Sequence, residues 1–215
     1  MQTCGIGIMP SVTKRIWSTS RQIMGNLLPA LFSVPIGALG IWMYEPTKPF
    51  APLPLTLIIA FPLVGIVALN WLGLFGNNLL RGELSRLFSR ENEIGDRRLI
   101  FIGLARPEYK GILDPHQELA FLLIGPEELE LYGELTRLKI PRRHVIEIKR
   151  KRNIHSWLGL GGWVVLRFVE GATTRELLLE PREFSSLARN RRFAKALFAD
   201  LEKWRNGAEP EGSAP

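Results

Sequence analysis

Arg137, Lys139, Arg142, Arg143, Lys149, Arg150, Lys151 and Arg152 fall within sixteen residues and are opposed only by Glu147. Clustered guanidinium and ammonium groups bind phosphate and carboxylate, so the chemistry on offer is anion recognition rather than bond breaking. Arg137 and Lys139 are two apart. On a strand they project from one face, while Leu138 and Ile140 take the core face. An anionic leaflet is the expected contact, at about 1 kcal/mol per basic residue near its surface. The bland alternative is a solvated face whose charges pair with Glu127, Glu128, Glu130 and Glu134. Nucleic acid would feel the same charge. No stacking aromatics interleave the run and no nucleic-acid motif is present, so nucleic acid is not an expected partner.

Two further segments carry reactive residue types. In NIHSWLGLGGWVV (153–165), Trp157, Leu158, Leu160 and Trp163 flank Gly159, Gly161 and Gly162. One reading is an aromatic loop, led by Trp157, that touches the membrane interface or a partner. The other is a long hairpin loop with core-packing tryptophans. A phosphate cradle is unsupported, because no Gly-Lys-Ser/Thr follows and the run enters a strand. In DPHQE (114–118), Asp114, His116 and Glu118 are metal-ligand types at alternate positions. Pro115 favours a polar turn there, and no second His or Cys cluster is near. Nor is there a Ser-His-Asp or paired-carboxylate arrangement; His144, beside Arg143, reads as a surface residue. No enzyme, metal or cofactor is expected. The rival reading is a membrane-anchored metal-dependent enzyme using His116, Asp114 and Glu118.

These residues need elements to position them, and charge segregation reveals the first. The chain has 215 residues, formal net charge +7 and mean hydropathy +0.06. Yet only Glu45 and Lys48 are charged between Ile23 and Leu80. Ile23–Tyr44 and Leu53–Phe75 are uncharged runs of 22 and 23 residues. Each is long enough, at 1.5 Å per residue, to cross a hydrocarbon core of about 30 Å. Glu45–Pro52, with three prolines, makes a tight connector, so an antiparallel transmembrane hairpin is predicted. Lys14, Arg15 and Arg21 precede it and Arg81, Arg86, Arg90, Arg97 and Arg98 follow, against Lys48 alone in the connector. Both termini are therefore expected in the cytoplasm, with the hairpin in the plasma (inner) membrane. Trp42 and Tyr44 then mark the outer boundary, Trp71 and Phe75 the inner one.

Pro35 and Pro62 are expected to bend the spans. Ser33 with Gly37, and Gly65 with Ala68, allow close helix approach, within the hairpin or in a dimer. Asn70 is expected to be hydrated. No ionisable group lies inside either run, which argues against a transporter. Cleavage after Ala38-Leu39-Gly40 is not expected, since apolar sequence continues to Tyr44. Cys4 has no partner in the chain, so a disulfide scaffold is excluded.

Beyond the hairpin, Leu80, Leu84, Leu87 and Phe88 recur at helical spacing in a charge-dense segment. They predict an amphipathic helix lying on the leaflet or on the following domain. Seven short strands follow, at 99–105, 118–124, 129–133, 136–140, 144–150, 163–169 and 174–180. Glu170–Thr173 reads as a hairpin turn. Apolar residues from Phe184 to Trp204 follow helical spacing, with a break expected at Asn190–Arg192. Residues 207–215 are predicted to be disordered.

ELELYGELTRLKIPRRHVIEIKRKRN (128–153) resembles the recurring unit of bacterial pleckstrin-homology-like domains carried behind a membrane hairpin. A strand, a turn and an alternating apolar–basic strand lead to Pro141. Ile140, Val145 and Ile148 then precede basic residues. The resemblance covers roughly 118–205. It implies an antiparallel β-barrel or sandwich of about seven strands with a C-terminal helix, and a binding or assembly module. The expected organisation is an N-terminal segment 1–22, a hairpin 23–75, a linker 76–98, a cytoplasmic PH-like domain 99–206 and the tail. The expected class is an α+β membrane protein. Anionic lipid headgroups, a protein partner or a second copy of the chain are its expected contacts, and a structural subunit of a larger membrane complex is a further reading.

Overall fold

The computed structural model describes residues 15–49, 51–74, 76–89, 99–108, 116–153, 156 and 158–207. Three helices come first: α1 (Thr19–Trp42), α2 (Pro52–Leu72) and α3 (Asn77–Ser89). Seven strands follow: β1 (Ile100–Ala105), β2 (Glu118–Ile124), β3 (Glu128–Gly133), β4 (Arg137–Pro141), β5 (Val145–Lys151), β6 (Trp163–Glu170) and β7 (Thr173–Pro181). Helix α4 (Leu187–Arg205) ends the described chain. The α+β class, the seven antiparallel strands and the C-terminal helix all agree with the sequence pattern.

Helices α1 and α2 pack as an antiparallel pair, each long and apolar enough to cross a membrane. Both remain helical through their internal prolines, Pro29, Pro35 and Pro62. The small residues are used inside the hairpin. A Cβ on Gly65 would meet Ser33, one on Gly37 would meet the Phe61 ring, and one on Gly40 would meet Leu57 and Ile58. Larger side chains there would push the helices apart. The outward side chains are apolar and exposed, including Phe32, Ile41, Leu63, Val67 and Trp71, with Trp42 82% exposed beside the connector.

The strands form one sheet in the order β4-β3-β2-β1-β7-β6-β5, every neighbouring pair antiparallel. Consecutive strands pair as a meander, and the β1–β7 pairing brings the chain ends of the sheet together. Strands β4 and β5 are the edges, so the expected barrel stays open between them. The short 3-10 turn Arg142–His144 joins them, after Pro141 has ended β4 without a donor to offer. Alternation along the strands sends one set of residues to a common core. Ile102, Leu122, Leu131, Ile140, Ile148, Leu166 and Leu179, one from each strand, pack there with Ala194, Leu197, Leu201 and Trp204 of α4.

The opposite sheet face is also covered, over β1 and β2. Helix α3 turns Leu80, Leu84 and Phe88 onto Phe101, Leu119 and Phe121, joined by Ile16 and Trp17 from just before α1. The amphipathic helix thus lies on the domain. Fully burying a Leu or Phe contributes about 1.5–3 kcal/mol, which favours this sheet face over a half-wet position on a leaflet.

Helix α4 begins at the base of the hairpin. Leu187 packs with Leu74 and Leu160, against Ile66 and Leu69 of α2. Asn70 is not left to solvent: its Oδ1 accepts from Ala188 N at 2.9 Å and lies 3.1 Å from Ser186 Oγ. Ser186 Oγ in turn accepts from Arg189 N. Two oxygens therefore satisfy amide donors that a helix N-terminus leaves without partners. The expected break at Asn190–Arg192 is absent. Asn190 is buried, and its side chain instead brackets the preceding loop, accepting from Phe184 N at 2.9 Å and donating to Phe184 O at 2.7 Å.

Candidate functional site

The basic residues that are contiguous in sequence are not contiguous in space. Strand β5 runs antiparallel to α4. Near its start, Arg205 reaches Ile146 O at 3.5 Å; near its end, the Arg150 guanidinium sits over the Phe198 ring at 5.7 Å. Arg142 and Arg143 therefore lie with the C-terminal end of α4, where Arg142 stacks over Trp204 at 5.5 Å. Lys151 and Arg152 lead into the loop whose Leu160 touches Leu187 and the hairpin base. Trp204 stands sixteen residues beyond Ala188 on α4, or about 24 Å along the helix.

Pairing also divides the cluster. Lys139 meets Glu130 at 3.0 Å and Glu128 at 3.4 Å, which holds its ammonium above the ordinary lysine value. Arg142 reaches Glu127 at 3.4 Å and also donates to Pro126 O. Lys149 sits near Glu147 and Glu176. Arg137 packs its guanidinium over Phe88 at 5.5 Å. No carboxylate among the described residues lies within ion-pair distance of Arg143, Arg150, Lys151 or Arg152. Of the loop aromatics, Trp163 is buried and Trp157 lies outside the described residues, while Leu158 is exposed.

The DPHQE residues go separate ways. The His116 ring is buried, with Nε2 3.0 Å from Glu180 Oε2, between Trp163 at 5.2 Å and Trp17 at 6.4 Å. Glu180 also accepts from Asn153 Nδ2 at 2.9 Å and Gly162 N at 3.3 Å. Glu118 accepts from the backbone N–H of Leu135 at 2.7 Å and Thr136 at 3.1 Å. Asp114 and His155 lie outside the described residues. Among the described residues no three His, Cys, Asp or Glu side chains are grouped as a metal site. The geometry is that of buried polar anchors, each tying a loop to the sheet.

Glu134 is a third such anchor, and the sequence did not mark it. From the β3–β4 turn its carboxylate accepts from Ile16 N at 2.7 Å and Trp17 N at 3.0 Å, docking the segment that leads into α1. Burial pushes this carboxyl above the ordinary range, against the pull of the Trp17 and Ile16 amides, and Glu118 adds like-charge repulsion. The folded chain then binds this proton more tightly than the unfolded one. Its contribution to stability is fully present below the unfolded value and declines as pH rises toward the folded value. Glu134→Gln should therefore flatten the fall in thermal stability that begins at about pH 4, read by unfolding scans in detergent. An unchanged slope would place that dependence on other groups.

A cleft of about 830 Å³ opens where Arg106, Arg137, Arg167 and Arg175 approach one another, with Glu108 and Glu176 in its wall. Arg175 pairs with Glu170, and Arg167 lies 3.8 Å from Glu147. Its charge is thus mixed, and Arg167 and Arg175 each have a carboxylate neighbour.

These features define an α+β chain in which an apolar helical hairpin is joined to a seven-stranded antiparallel sheet closed by a helix. No protein-family model and no curated protein matches it. Among solved structures, the chain is similar to one described as the apo structure of the activated truncation of Vav1, at 11% identity and TM-score 0.29. That alignment covers 83% of this chain and 45% of the other, so the chain spans less than half of its length.

Proposed function

We propose that this chain is a non-enzymatic integral membrane protein. Its hairpin anchors a PH-like binding and assembly module on the cytoplasmic side of the plasma (inner) membrane, in contact with anionic lipid headgroups or protein partners. The carrying observation is the join between the two parts. Asn70 of α2 bonds the start of α4, Leu69 and Ile66 pack on Leu187, and Arg21 of α1 grips Glu83 of α3 at 2.7 Å. A hairpin whose outer surface is exposed Leu, Ile, Val and Phe needs a hydrocarbon solvent, and contiguous apolar patches of this size are rare on soluble proteins. The basic flanks favour a cytoplasmic placement of both ends. Tethering then holds the module at high effective concentration beside the leaflet, so weak contacts suffice.

Alkaline carbonate extraction of cells expressing the full chain with a C-terminal reporter tests this reading. The protein should stay in the membrane pellet with its reporter protected inside spheroplasts. Release into the supernatant, or a reporter digested from outside, would overturn it. A metal-dependent enzyme is disfavoured because His116 Nε2 lies against the Glu180 carboxylate and the Glu118 carboxylate already accepts from backbone amides. Stoichiometric metal lost on His116→Ala would restore that alternative.

A further inference from the structure

Helix α4 is where charge and the hairpin meet. Arg189, Arg191, Arg192 and Lys195 occupy its first nine residues, and no acidic residue appears until Asp200. The remainder is balanced, with Asp200 and Glu202 against Lys203 and Arg205. Arg189, Arg192 and Lys195 are exposed, and Arg191 lies beside Gly159 in the loop after β5. Lys151 and Arg152 enter that same loop, and Leu158, 46% exposed, stands on it. The six cations come from two chain segments about 40 residues apart. Among the described residues, none of them is within ion-pair distance of a carboxylate. The acidic partners found for Lys139, Arg142 and Lys149 lie elsewhere on the domain.

We infer that Lys151, Arg152, Arg189, Arg191, Arg192 and Lys195 form a collar that binds the phosphates of anionic lipids in the leaflet around the base of the hairpin. This inference rests on the membrane reading above. The geometry that carries it is the contact of Ala188 and Leu187 with α2. Lys195 is seven residues from Ala188, so all four helix cations lie within about 11 Å of that contact along the axis. The reach of a surface potential at physiological salt is about 8–10 Å. Arg142 and Arg143, near Trp204, stand beyond it. The positive N-terminal end of α4 adds to the same field. Leu158 can bury in the interfacial zone while the neighbouring cations hold headgroups. The collar therefore divides the basic run of residues 137–152: its last two members bind lipid, while Lys139, Arg142 and Lys149 are paired with carboxylates within the domain.

The test uses the full chain in nanodiscs of zwitterionic lipid containing a minor fraction of phosphatidylglycerol, some of it headgroup-labelled. Energy transfer from a dye on the chain reads the enrichment of labelled lipid at the protein. Enrichment should fall at least threefold in Arg189→Gln/Arg192→Gln/Lys195→Gln, and high salt should lower it in the parent chain but hardly in the variant. Arg142→Gln/Arg143→Gln should leave it unchanged. Enrichment that is equal in all three proteins, or lost only in the Arg142/Arg143 variant, would overturn the collar. So would displacement of the labelled lipid by an acidic polypeptide at equal charge concentration, which would assign the surface to an acidic protein. Failure of the chain to enter nanodiscs, or its release by carbonate, would instead overturn the membrane reading. All three substitutions are on exposed side chains, and unfolding scans confirm that the variants are compared as folded proteins.

Discussion

Trp204→Ala should destabilise the sheet domain by about 3–5 kcal/mol, the usual range for removing a large aromatic from a core. Trp204 is completely buried, the last α4 residue in the central core, and its Nε1 donates to Gly125 O at 2.7 Å. Its face also carries the Arg142 guanidinium at 5.5 Å. One side chain thus closes the core, ties α4 to the β2–β3 turn and seats the link between β4 and β5. A domain of this size has about 5–15 kcal/mol in total, so the loss is a large fraction of its stability. Denaturant unfolding of the full chain in micelles, followed by near-ultraviolet circular dichroism, measures it. Trp204→Phe keeps most of the volume and removes the donor, and should lose about 1–3 kcal/mol. A Trp204→Ala loss under 1 kcal/mol, by contrast, would mean that α4 is not the element that completes the core.

The second large effect is expected from adding atoms. The His116 ring lies directly on Gly103, and a methyl group built on that glycine would overlap it. The ring cannot give way: Trp163 and Trp17 flank it and Glu180 holds Nε2. Overpacking of a closed site costs typically about 1–3 kcal/mol, and Gly103→Ala should reach the upper end or beyond. The same unfolding measurement should show Gly103→Ala/His116→Ala less destabilised than the sum of its single variants, because the overlap is removed with the ring. Additive losses would show that Gly103 and His116 do not share the space. Gly82→Ala supplies the opposite sign. Nothing lies near a Cβ at that α3 position, and replacing a mid-helix glycine stabilises by about 0.5–1 kcal/mol.

The same buried contacts explain which parts of the molecule are legible from residue order. The hairpin is legible because a helix able to cross a membrane needs a long uncharged run, and every residue in it carries that signal. The strands are legible because period-2 burial repeats locally, as in β4, where Leu138 and Ile140 are buried and Lys139 is exposed. The role of α3 is only half legible. Its spacing marks one apolar face, but a leaflet and the Phe101–Phe121 face of the sheet select the same residues. Asn70, Glu134 and Asn190 are illegible because each satisfies backbone groups remote in sequence or loop geometry that no spacing rule records. Domain fragments beginning near position 97 would lose α3 and Trp17, and would expose Phe101, Leu119 and Phe121 to water.

The basic run shows the same division. Sequence alone determines that these side chains are positive, that Arg137 and Lys139 share a strand face and that an uncharged hairpin precedes them. It cannot say which cations are already neutralised, because the acidic partners Glu127, Glu128 and Glu176 are brought in by pairing between strands. It also cannot say that Arg191 stands beside Gly159, in the loop that Lys151 and Arg152 enter, since the packing of α4 across β5 creates that neighbourhood. Charge and hydrophobicity are properties of each residue and survive in the linear order. Distance from the hairpin is a property of the folded backbone, and only the tertiary structure sets it.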